Sequence, residues 1–484
     1  MQLQSRIEGA FLGLAVGDAL GAPLEFLSRE AAQKRFGTLT EMVGNSTWEP
    51  GEWTDDTAMA LGVARGILAG ANGQDEIEVT GAEFLKWASH AKDVGSTISA
   101  AFRNFDSFND WFDASRNTPH AKGGKAAGNG SLMRILPVAL AFSTREKMLR
   151  HSALHSAMTH FDTQAEVCCA LYCLWVSRLL NGEDKSKSWR AALQEAKNLN
   201  HLDKRTPGPI TPPDFWLRLE NIENLTYGEL QPSGYAGYVV ECLEAAVWCV
   251  INFDSFEETL IQIVNLAGEA DTMSAVAGGA AGAIYGLEAI PARWLSALHQ
   301  REELIHTARY LFVLREHMRS YSKPGLPPFS FDWLDSQMAA GRNPLTARDI
   351  QILQEADITH ILDLRESHEW NPPHLGIEAM NALQEAEITR LHLPIIDTQP
   401  PHNTDFDAAA RWLETVLSAP GNKVYIHCRA GMERTAAILC AVFARRHHVS
   451  FEESLETLKQ KRPIFAPLPG QVRAAKEWLA KQRT

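Results

Sequence analysis

The spacing of hydrophobic positions changes once along this chain of 484 residues. From residue 5 to about residue 320, apolar side chains recur every three or four positions, as in EFLKWASHAKDV and AEVCCALYCLWVSRLL. This is the period of helices that bury one face, and almost nothing in this part alternates as a half-buried strand does. The pattern predicts an all-α domain, a bundle of helices, over residues 1–320.

The pattern that follows a proline-rich segment is of a different kind. The proline density of YSKPGLPPFSFDW predicts a connecting segment over residues 321–344. Short apolar runs in THILDLRE and NKVYIHC then alternate with helical patterns such as FDAAARWLETVLSA. Because strands that alternate with helices usually form a parallel sheet, residues 345–484 are predicted to form an α/β domain.

Composition narrows the class of protein. The chain is 45% hydrophobic and 22% charged, which is typical of a soluble globular protein. Its formal net charge of −13 argues against a general affinity for nucleic acid, since that affinity comes from cations that neutralise phosphates. No uninterrupted apolar run approaches the roughly 18 residues that span a bilayer, so we expect no membrane partner. The seven cysteines have no regular framework and favour a reducing cytoplasm.

Several conspicuous residues are assigned to packing rather than to chemistry. The run AFLGLAV lies between Glu8 and Asp18 and is interpreted as a buried helix, not as a signal peptide. The same interpretation of helix packing covers Gly13, Gly17, Gly21, Cys168, Cys169, Cys173, Cys242 and Cys249.

A cysteine-containing loop follows the strand pattern KVYIHC, in VYIHCRAGMERTAAI at residues 424–438. A loop between a buried strand and a helix can turn its backbone N–H groups inward, and the positive end of the helix adds to the field, so an anion fits there. Such a field lowers the pKa of a cysteine, which makes Cys428 a candidate thiolate nucleophile. Arg434, six residues later, can bind two phosphoryl oxygens in a bidentate fork. A buried cysteine that ends a strand by chance is the alternative, but the full string HCxxGxxRT favours a functional loop.

This string resembles the signature loop of the cysteine-dependent protein tyrosine phosphatases, particularly the compact dual-specificity type, and the resemblance covers roughly residues 340–484. It implies that Cys428 attacks phosphorus and that Arg434 holds the phosphoryl group. His427 would orient the loop, and Thr435 would ease the later departure of the thiolate. No cofactor is expected in this domain. The phosphate would contact the loop at Arg429, Ala430 and Gly431.

The resemblance also implies a general acid upstream, because the family keeps an aspartate about thirty residues before the cysteine. LHLPIIDTQPP supplies Asp397, 31 residues before Cys428 in a loop flanked by prolines. Alone, Asp397 would be interpreted as a turn residue; beside the signature loop, the acid role is the better interpretation. The chain departs from the family at Glu433, where many relatives have glycine, so we expect an acid at the rim of the anion site.

Two acidic strings far apart in the N-terminal part share one kind of chemistry. GEWTDDTAMAL and LAGEADTMSAVAGGAAGAIYG each place acids at a predicted helix start. These acids could cap the helices, or they could bind divalent cations through hard oxygen ligands. If the strings meet in space, they suit a pair of ions, and oxygen-only ligands favour Mg²⁺ or Mn²⁺ over zinc. The candidate metal ligands are Thr54, Asp55, Asp56, Glu269, Asp271 and Thr272.

At this point the chain resembles the ADP-ribosylglycohydrolase family over roughly residues 5–320. The matching segments, in order, are GAFLGLAVGDALGAPLEF, GEWTDDTAM, DVGST, GNGSLMRILPVAL, TH at residues 159–160, and GEADT. The resemblance implies an all-α fold with two Mg²⁺ or Mn²⁺ ions on the six candidate ligands, although Glu269 stands where the family usually has aspartate. It places Glu25 near the substrate ribose. It assigns the ADP-ribose cleft to Asp93, Gly128, Asn129, Gly130 and His160. Without the other matching segments, His160 would be interpreted as a core histidine.

Together the resemblances imply a bifunctional hydrolase. One domain would remove ADP-ribose from an N- or O-linked acceptor, and the other would hydrolyse phosphomonoesters. The expected partners are an ADP-ribosylated and a phosphorylated protein or small molecule. Two alternatives stay open: a sensor in which one domain recognises modified partners without turnover, or two sites that process one phosphorylated ADP-ribose derivative.

Overall fold

A computed structural model describes residues 2–71, 74–124, 126–230, 237–321, 329, 331–344, 346–366, 377–396 and 399–482. The chain divides into two compact units, Met1–Ser322 and Lys323–Thr484. The first unit is helical and the second combines helices with a sheet, so both predicted fold classes are confirmed.

The helices described in the first unit follow the period read from the sequence. They are α1 (Leu3–Gly21), α2 (Arg29–Phe36), α3 (Asp55–Gly70), α4 (Glu76–Ala88), α5 (Ser96–Phe108), α6 (Trp111–Arg116), α7 (Pro119–Lys122), α8 (Leu136–Ala141), α9 (Arg145–Ala157), α10 (Thr163–Leu180), α11 (Lys185–Ala196), α12 (Pro213–Glu220), α13 (Val239–Asn252), α14 (Phe256–Val264), α15 (Ala270–Tyr285), α16 (Ala292–Ala297) and α17 (Arg301–Tyr321). Short 3₁₀ turns lie at Ala22–Leu24, Asn129–Ser131, Ile222–Asn224, Tyr227–Glu229 and Leu287–Ala289.

Helices α1 and α15 form a buried antiparallel pair whose backbones touch. A Cβ atom on Gly13 would overlap the carbonyl oxygen of Gly278, and one on Gly17 would overlap that of Ser274. Further along, Gly21 lies against Ala270 in the same way. The packing role predicted for these glycines is confirmed, and the contact brings the end of α1 beside the start of α15.

The apolar N-terminal segment is a core helix. By length and composition, Leu3–Leu24 would suffice to cross a membrane, but its most apolar window is entirely buried inside the protein. The cysteines of α10 and α13 are buried in the same hydrophobic core, as predicted. These segments therefore serve packing.

Five strands of the second unit form one sheet in the order β1-β2-β5-β3-β4. They are β1 (Phe331–Trp333), β2 (Met338–Gly341), β3 (His360–Asp363), β4 (Thr389–His392) and β5 (Val424–His427). Strand β1 pairs antiparallel with β2, and the other pairs are parallel. The described helices are α18 (Ala347–Glu355), α19 (Ile377–Glu385), α20 (Asn403–Leu417), α21 (Arg434–His447), α22 (Phe451–Lys461) and α23 (Pro469–Lys481).

Helices cover both faces of this sheet. Ile361 and Tyr425 point to the cluster formed with α18 and α19, whereas Leu362 and Ile426 point to the cluster formed with α20, α21, α22 and α23. Strands buried on both faces explain the continuous apolar runs of THILDLRE and NKVYIHC.

The structure differs from the predicted connecting segment at residues 321–344. Strands β1 and β2 lie inside that range and belong to the sheet. With three and four residues, they are too short for alternation to distinguish them from a loop. The four-residue strand β4 and the helix α19 were also not predicted from the sequence.

Candidate active sites

The start of α3 is held by a buried acid from α1. The side chain of Thr54 does not cap α3. Instead, Asp18 accepts hydrogen bonds from the backbone nitrogens of Thr54 and Thr57 at 2.9 and 3.0 Å, and from the Thr57 hydroxyl at 2.6 Å. Asp18 therefore does the capping and fixes the two acids that open the helix.

The two acidic strings meet at this helix start. The Thr54 hydroxyl lies 3.4 Å from Asp55 Oδ1 and 3.2 Å from Asp56 Oδ2. Across 216 positions of sequence, the Thr272 hydroxyl donates to the same Asp56 Oδ2 at 3.3 Å. Next to it, the backbone nitrogen of Thr272 donates to Asp271 Oδ1 at 2.8 Å. The antiparallel pair of α1 and α15 thus unites groups that the sequence keeps far apart.

The carboxylates of this cluster raise one another's pKa values. Burial, and next the charge of Asp18, raise the pKa of Asp55 to about 7. Burial and the charge of Asp55 raise the pKa of Glu25 to about 8. Burial also raises the pKa values of Asp56 and Asp271 well above the ordinary range. Several anions held together in a buried place require positive charge to remain ionised.

Glu269 faces a different neighbour. Its Oε2 accepts a hydrogen bond from the Asn129 amide at 3.3 Å. The backbone nitrogen of Asn129 donates to the carbonyl of Gly237 at 2.7 Å. Beside them, the backbone nitrogen of Phe26 donates to Gly268 O at 2.7 Å, which keeps Glu25 close to this acid. Glu269 thus joins the ligand string to the cleft residues.

The glycines of GNGS pack against His160. A Cβ atom on Gly128 would lie 3.0 Å from Nε2 of His160, and one on Gly130 would lie 2.9 Å from its Cε1. His160 is buried and shares a 2.8 Å hydrogen bond with the Thr159 hydroxyl. Burial lowers the pKa of His160 to about 3, so the ring is neutral at neutral pH. Asp93 is exposed and lies close enough to Glu25 for its charge to raise the pKa of Glu25.

The C-terminal loop leaves β5 at Cys428 and enters α21 at Arg434. Gly431 has φ +67, and a Cβ atom there would overlap the carbonyl oxygen of Gly341, so only glycine fits. Carbonyls of the loop are bound from outside: Asn343 N donates to Arg429 O at 3.1 Å and Arg462 Nε donates to Gly431 O at 3.0 Å. An anion-binding loop needs its carbonyls turned to such neighbouring donors, so that its N–H groups can face the anion.

The side chains around Cys428 are buried and oriented. His427 Nδ1 lies 3.1 Å from the carbonyl oxygen of Cys428, and burial lowers the pKa of His427 to about 4. The Arg434 guanidinium donates to the carbonyl oxygen of Ile395 at 3.0 Å. The Thr435 hydroxyl is buried and has no hydrogen-bond partner among the residues that the structure describes.

The comparisons with known proteins agree with this geometry. A family model described as ADP-ribosylglycohydrolase matches residues 1–320. The chain belongs to the ADP-ribosylglycohydrolase family. A second model, the dual specificity phosphatase catalytic domain, matches residues 343–481. The protein thus combines two hydrolase domains, which confirms the enzyme class implied by the resemblances.

Individual relatives match the ADP-ribosylglycohydrolase domain over most of their own length. The ADP-ribosyl-dinitrogen reductase glycohydrolase of Rhodospirillum rubrum is 32% identical over 62% of this chain and 92% of the relative. An ADP-ribosylarginine hydrolase of Serratia proteamaculans is 28% identical over 64% of this chain and 79% of the relative. A solved structure titled ADP-ribosylglycohydrolase-related protein complex is 32% identical, covers 65% of this chain and 99% of that chain, and has a TM-score of 0.52.

The acid cluster of the ADP-ribosylglycohydrolase domain has the donor set that divalent cations need. Asp56 Oδ1 is buried without a hydrogen-bond partner in the described part of the chain, although its other oxygen binds Thr54 and Thr272. The donors are carboxylate and hydroxyl oxygens, which suit Mg²⁺ or Mn²⁺. The residues present therefore fit the metal pair implied by the resemblance.

Two predictions about the phosphatase domain have separate outcomes. Asp397, the predicted general acid, lies outside the described residues, and the loop is seen up to Ile396, which is exposed. Glu433 was expected at the rim of the anion site, and its side chain is buried just before α21. Cys428 and Arg434 of the same loop are equally buried, so the position of Glu433 at the rim stays a prediction.

Sequence reasoning missed Asp18 and Asp363. The one signal of Asp18 in the sequence is a charge inside the apolar stretch GLAVGDALG. Asp363, completely buried at the end of β3, accepts hydrogen bonds from Arg365 Nε at 3.1 Å and Arg390 Nη2 at 2.7 Å, and lies 3.7 Å from His427 Nδ1. Its signal was the pair of opposite charges in DLR after a buried strand.

Proposed function

We propose that the chain is a bifunctional hydrolase that removes ADP-ribose from a modified acceptor with one domain and hydrolyses phosphomonoesters with the other. The proposal depends most on the hydrogen bond between Thr272 and Asp56, which unites two acidic strings beside a buried carboxylate oxygen that has no described partner. The signature loop, with Cys428, Arg434 and Thr435 in place, supports the second activity.

In the N-terminal domain, two Mg²⁺ or Mn²⁺ ions would be held by Thr54, Asp55, Asp56, Glu269, Asp271 and Thr272. When bound, such ions supply positive charge for the ribose hydroxyls and for a water near the bond to the acceptor.

Glu25 and Asn129 would act on the substrate directly. The Glu25 carboxyl is half-buried beside this acid cluster, where it can exchange a proton with a ribose hydroxyl or with the attacking water. Asn129 would orient the ADP-ribose, since its side chain is held by Glu269 and its backbone by Gly237.

We propose arginine as the first ADP-ribose acceptor to test. By their names, one relative acts on ADP-ribosylated dinitrogen reductase and another on ADP-ribosylarginine. A guanidinium carries positive charge, which complements the acidic surroundings of Glu25 and Asp93.

In the C-terminal domain, the Cys428 sulfur would attack phosphorus, so that a P–S bond forms as the ester P–O bond breaks. The leaving oxygen would take its proton from Asp397. Arg434 would exchange the carbonyl of Ile395 for two phosphoryl oxygens. Water then hydrolyses the phosphocysteine, and the Thr435 hydroxyl, which has no other described partner, would donate to the departing thiolate.

A paired assay tests both activities on the full chain. Cys428→Ser should abolish phosphate release from an aryl phosphate and leave ADP-ribose release from ADP-ribosylarginine unchanged. Asp55→Ala combined with Asp56→Ala, or EDTA, should do the reverse. If wild-type protein binds ADP-ribosylated or phosphorylated ligands without turnover at either site, the sensor alternative is correct. If Cys428→Ser removes both activities, the two sites are not independent.

A further inference from the structure

Helices α4 and α9 meet at a cluster that neither hydrolase mechanism uses. Glu76 is the first residue of α4, and His151 and His155 lie one turn apart on α9. His151 Nδ1 lies 2.8 Å from Glu76 Oε1, and His155 Nε2 lies 2.6 Å from the same oxygen. The candidate ligand atoms of all three residues lie within 4.8 Å of one another.

The surroundings fix the ring of His151 and the backbone at His155. The His151 ring stacks on Phe142 with centroids 4.1 Å apart. The carbonyl of His155 accepts a hydrogen bond from Arg134 Nη2 at 2.9 Å. His155 is completely buried, whereas the side chains of His151 and Glu76 are 19% and 14% exposed. The cluster is therefore preorganised on its inner side and open to a water molecule on its outer side.

We propose that Glu76, His151 and His155 form a binding site for one divalent transition-metal ion of the zinc class, with water as the fourth ligand. Two imidazole nitrogens and one carboxylate oxygen are a common ligand set for Zn²⁺, and an open fourth position is usual for sites with three protein ligands. Mg²⁺ prefers oxygen ligands, so the site discriminates against the ion expected at the acid cluster.

This site lies far from the acid cluster. A Cβ atom on Gly70 would lie 3.2 Å from Glu76 Oε2, and Gly70 is the last residue of α3. Asp55 is the first residue of the same helix. At 1.5 Å per residue, the two ends of α3 are roughly 20 Å apart. A metal here would clamp α4 to α9 and would take no part in glycosidic cleavage.

Equilibrium dialysis of the full chain against ZnCl₂, after removal of metal with EDTA, tests the proposal. The background is Cys428→Ser with Asp55→Ala and Asp56→Ala, which removes one thiol and two carboxylates that could also bind Zn²⁺. In this background we expect one bound Zn²⁺ per chain. Glu76→Gln and, separately, His151→Ala should lower its affinity at least about tenfold, as a lost ligand costs no less than a lost outer-shell partner. His90→Ala, at an exposed histidine, is the matched control and should change nothing.

Glu76→Gln separates a metal site from a hydrogen-bonded cluster. The amide oxygen can still accept from both imidazoles, so the fold should persist, but a neutral amide is a poor zinc ligand. Zn²⁺ should raise the melting temperature of the background protein and not that of Glu76→Gln. Co²⁺ should give the visible absorption of a tetrahedral site in the background protein alone. Zinc affinity that is equal in the background protein, Glu76→Gln and His151→Ala would overturn the proposal.

Discussion

Asp363→Asn tests whether a buried ion network holds the phosphatase loop. The substitution keeps the volume of the side chain but removes the charge that pairs with Arg365 and Arg390. The new amide nitrogen would also face their N–H groups. We expect the region around His427 and Cys428 to loosen, because Asp363 lies between the arginines and the histidine that contacts the Cys428 carbonyl.

The size of the effect follows from burial. Asp363 and Arg365 are 0% and 1% exposed, whereas Arg390 is 21% exposed and can regain water. Removing one partner of a buried pair costs about 3 to 5 kcal/mol, and the exposure of Arg390 places this case near the lower end, at about 3 kcal/mol. That free energy corresponds to about a hundredfold larger opening constant for the domain.

The effect should depend on pH with a definite sign. Burial alone would raise the pKa of Asp363, but the charges of His427, Arg365 and Arg390 outweigh it and hold the pKa well below its ordinary value. The charge therefore stabilises the fold above the unfolded pKa of about 3.9. This stabilisation is lost as the pH falls through the lower folded pKa, so the difference between wild type and variant should shrink below about pH 4.

Amide hydrogen exchange at β5 measures the opening constant in the full chain. The phosphatase kcat/KM should fall with it, while ADP-ribose release stays unchanged. The matched control is Asp357→Asn, since Asp357 forms an exposed pair with Lys423 and its loss should cost no more than about 1 kcal/mol. Equal exchange in the two variants at pH 7 would refute a structural role for the buried network.

Three further substitutions test other parts of the structure. Glu269→Asp should preserve or raise Mg²⁺ affinity in calorimetry, because the charge is kept and the resemblance implies an aspartate at this position. A large loss would show that the longer arm and its bond to Asn129 are needed. Gly17→Ala should lower the free energy of unfolding by at least about 2 kcal/mol, since its Cβ would overlap Ser274 O, and an unchanged melting temperature would contradict that packing. Thr435→Val should leave stability nearly unchanged, because the hydroxyl has no described partner. It should make phosphocysteine accumulate, which intact-protein mass spectra would detect. Equal amounts of phosphocysteine in wild type and variant would exclude a role of the hydroxyl in thiolate departure.

Local patterns determined much of this protein. Helical period and strand-helix alternation predicted both fold classes. Each helix or strand buries one of its own faces, so the spacing of its apolar residues shows its type. The loop HCxxGxxRT is also local: its strand, its glycine and its helix start are adjacent in sequence, so Cys428 and Arg434 could be assigned as candidates from the string itself. The ordered acidic strings predicted the candidate metal ligands in the same way.

Only the tertiary structure decided which groups meet. Glycine contacts pack α1 against α15, and Asp18 of α1 caps α3. Together these contacts bring Thr272 of α15 to Asp56 of α3, 216 residues away in sequence. Arg390 reaches Asp363 from another strand, and His151 and His155 reach Glu76 from another helix, so no spacing in the sequence records these contacts. The three and four residues of β1 and β2 became strands through pairing with neighbours, since so few residues carry no period of their own.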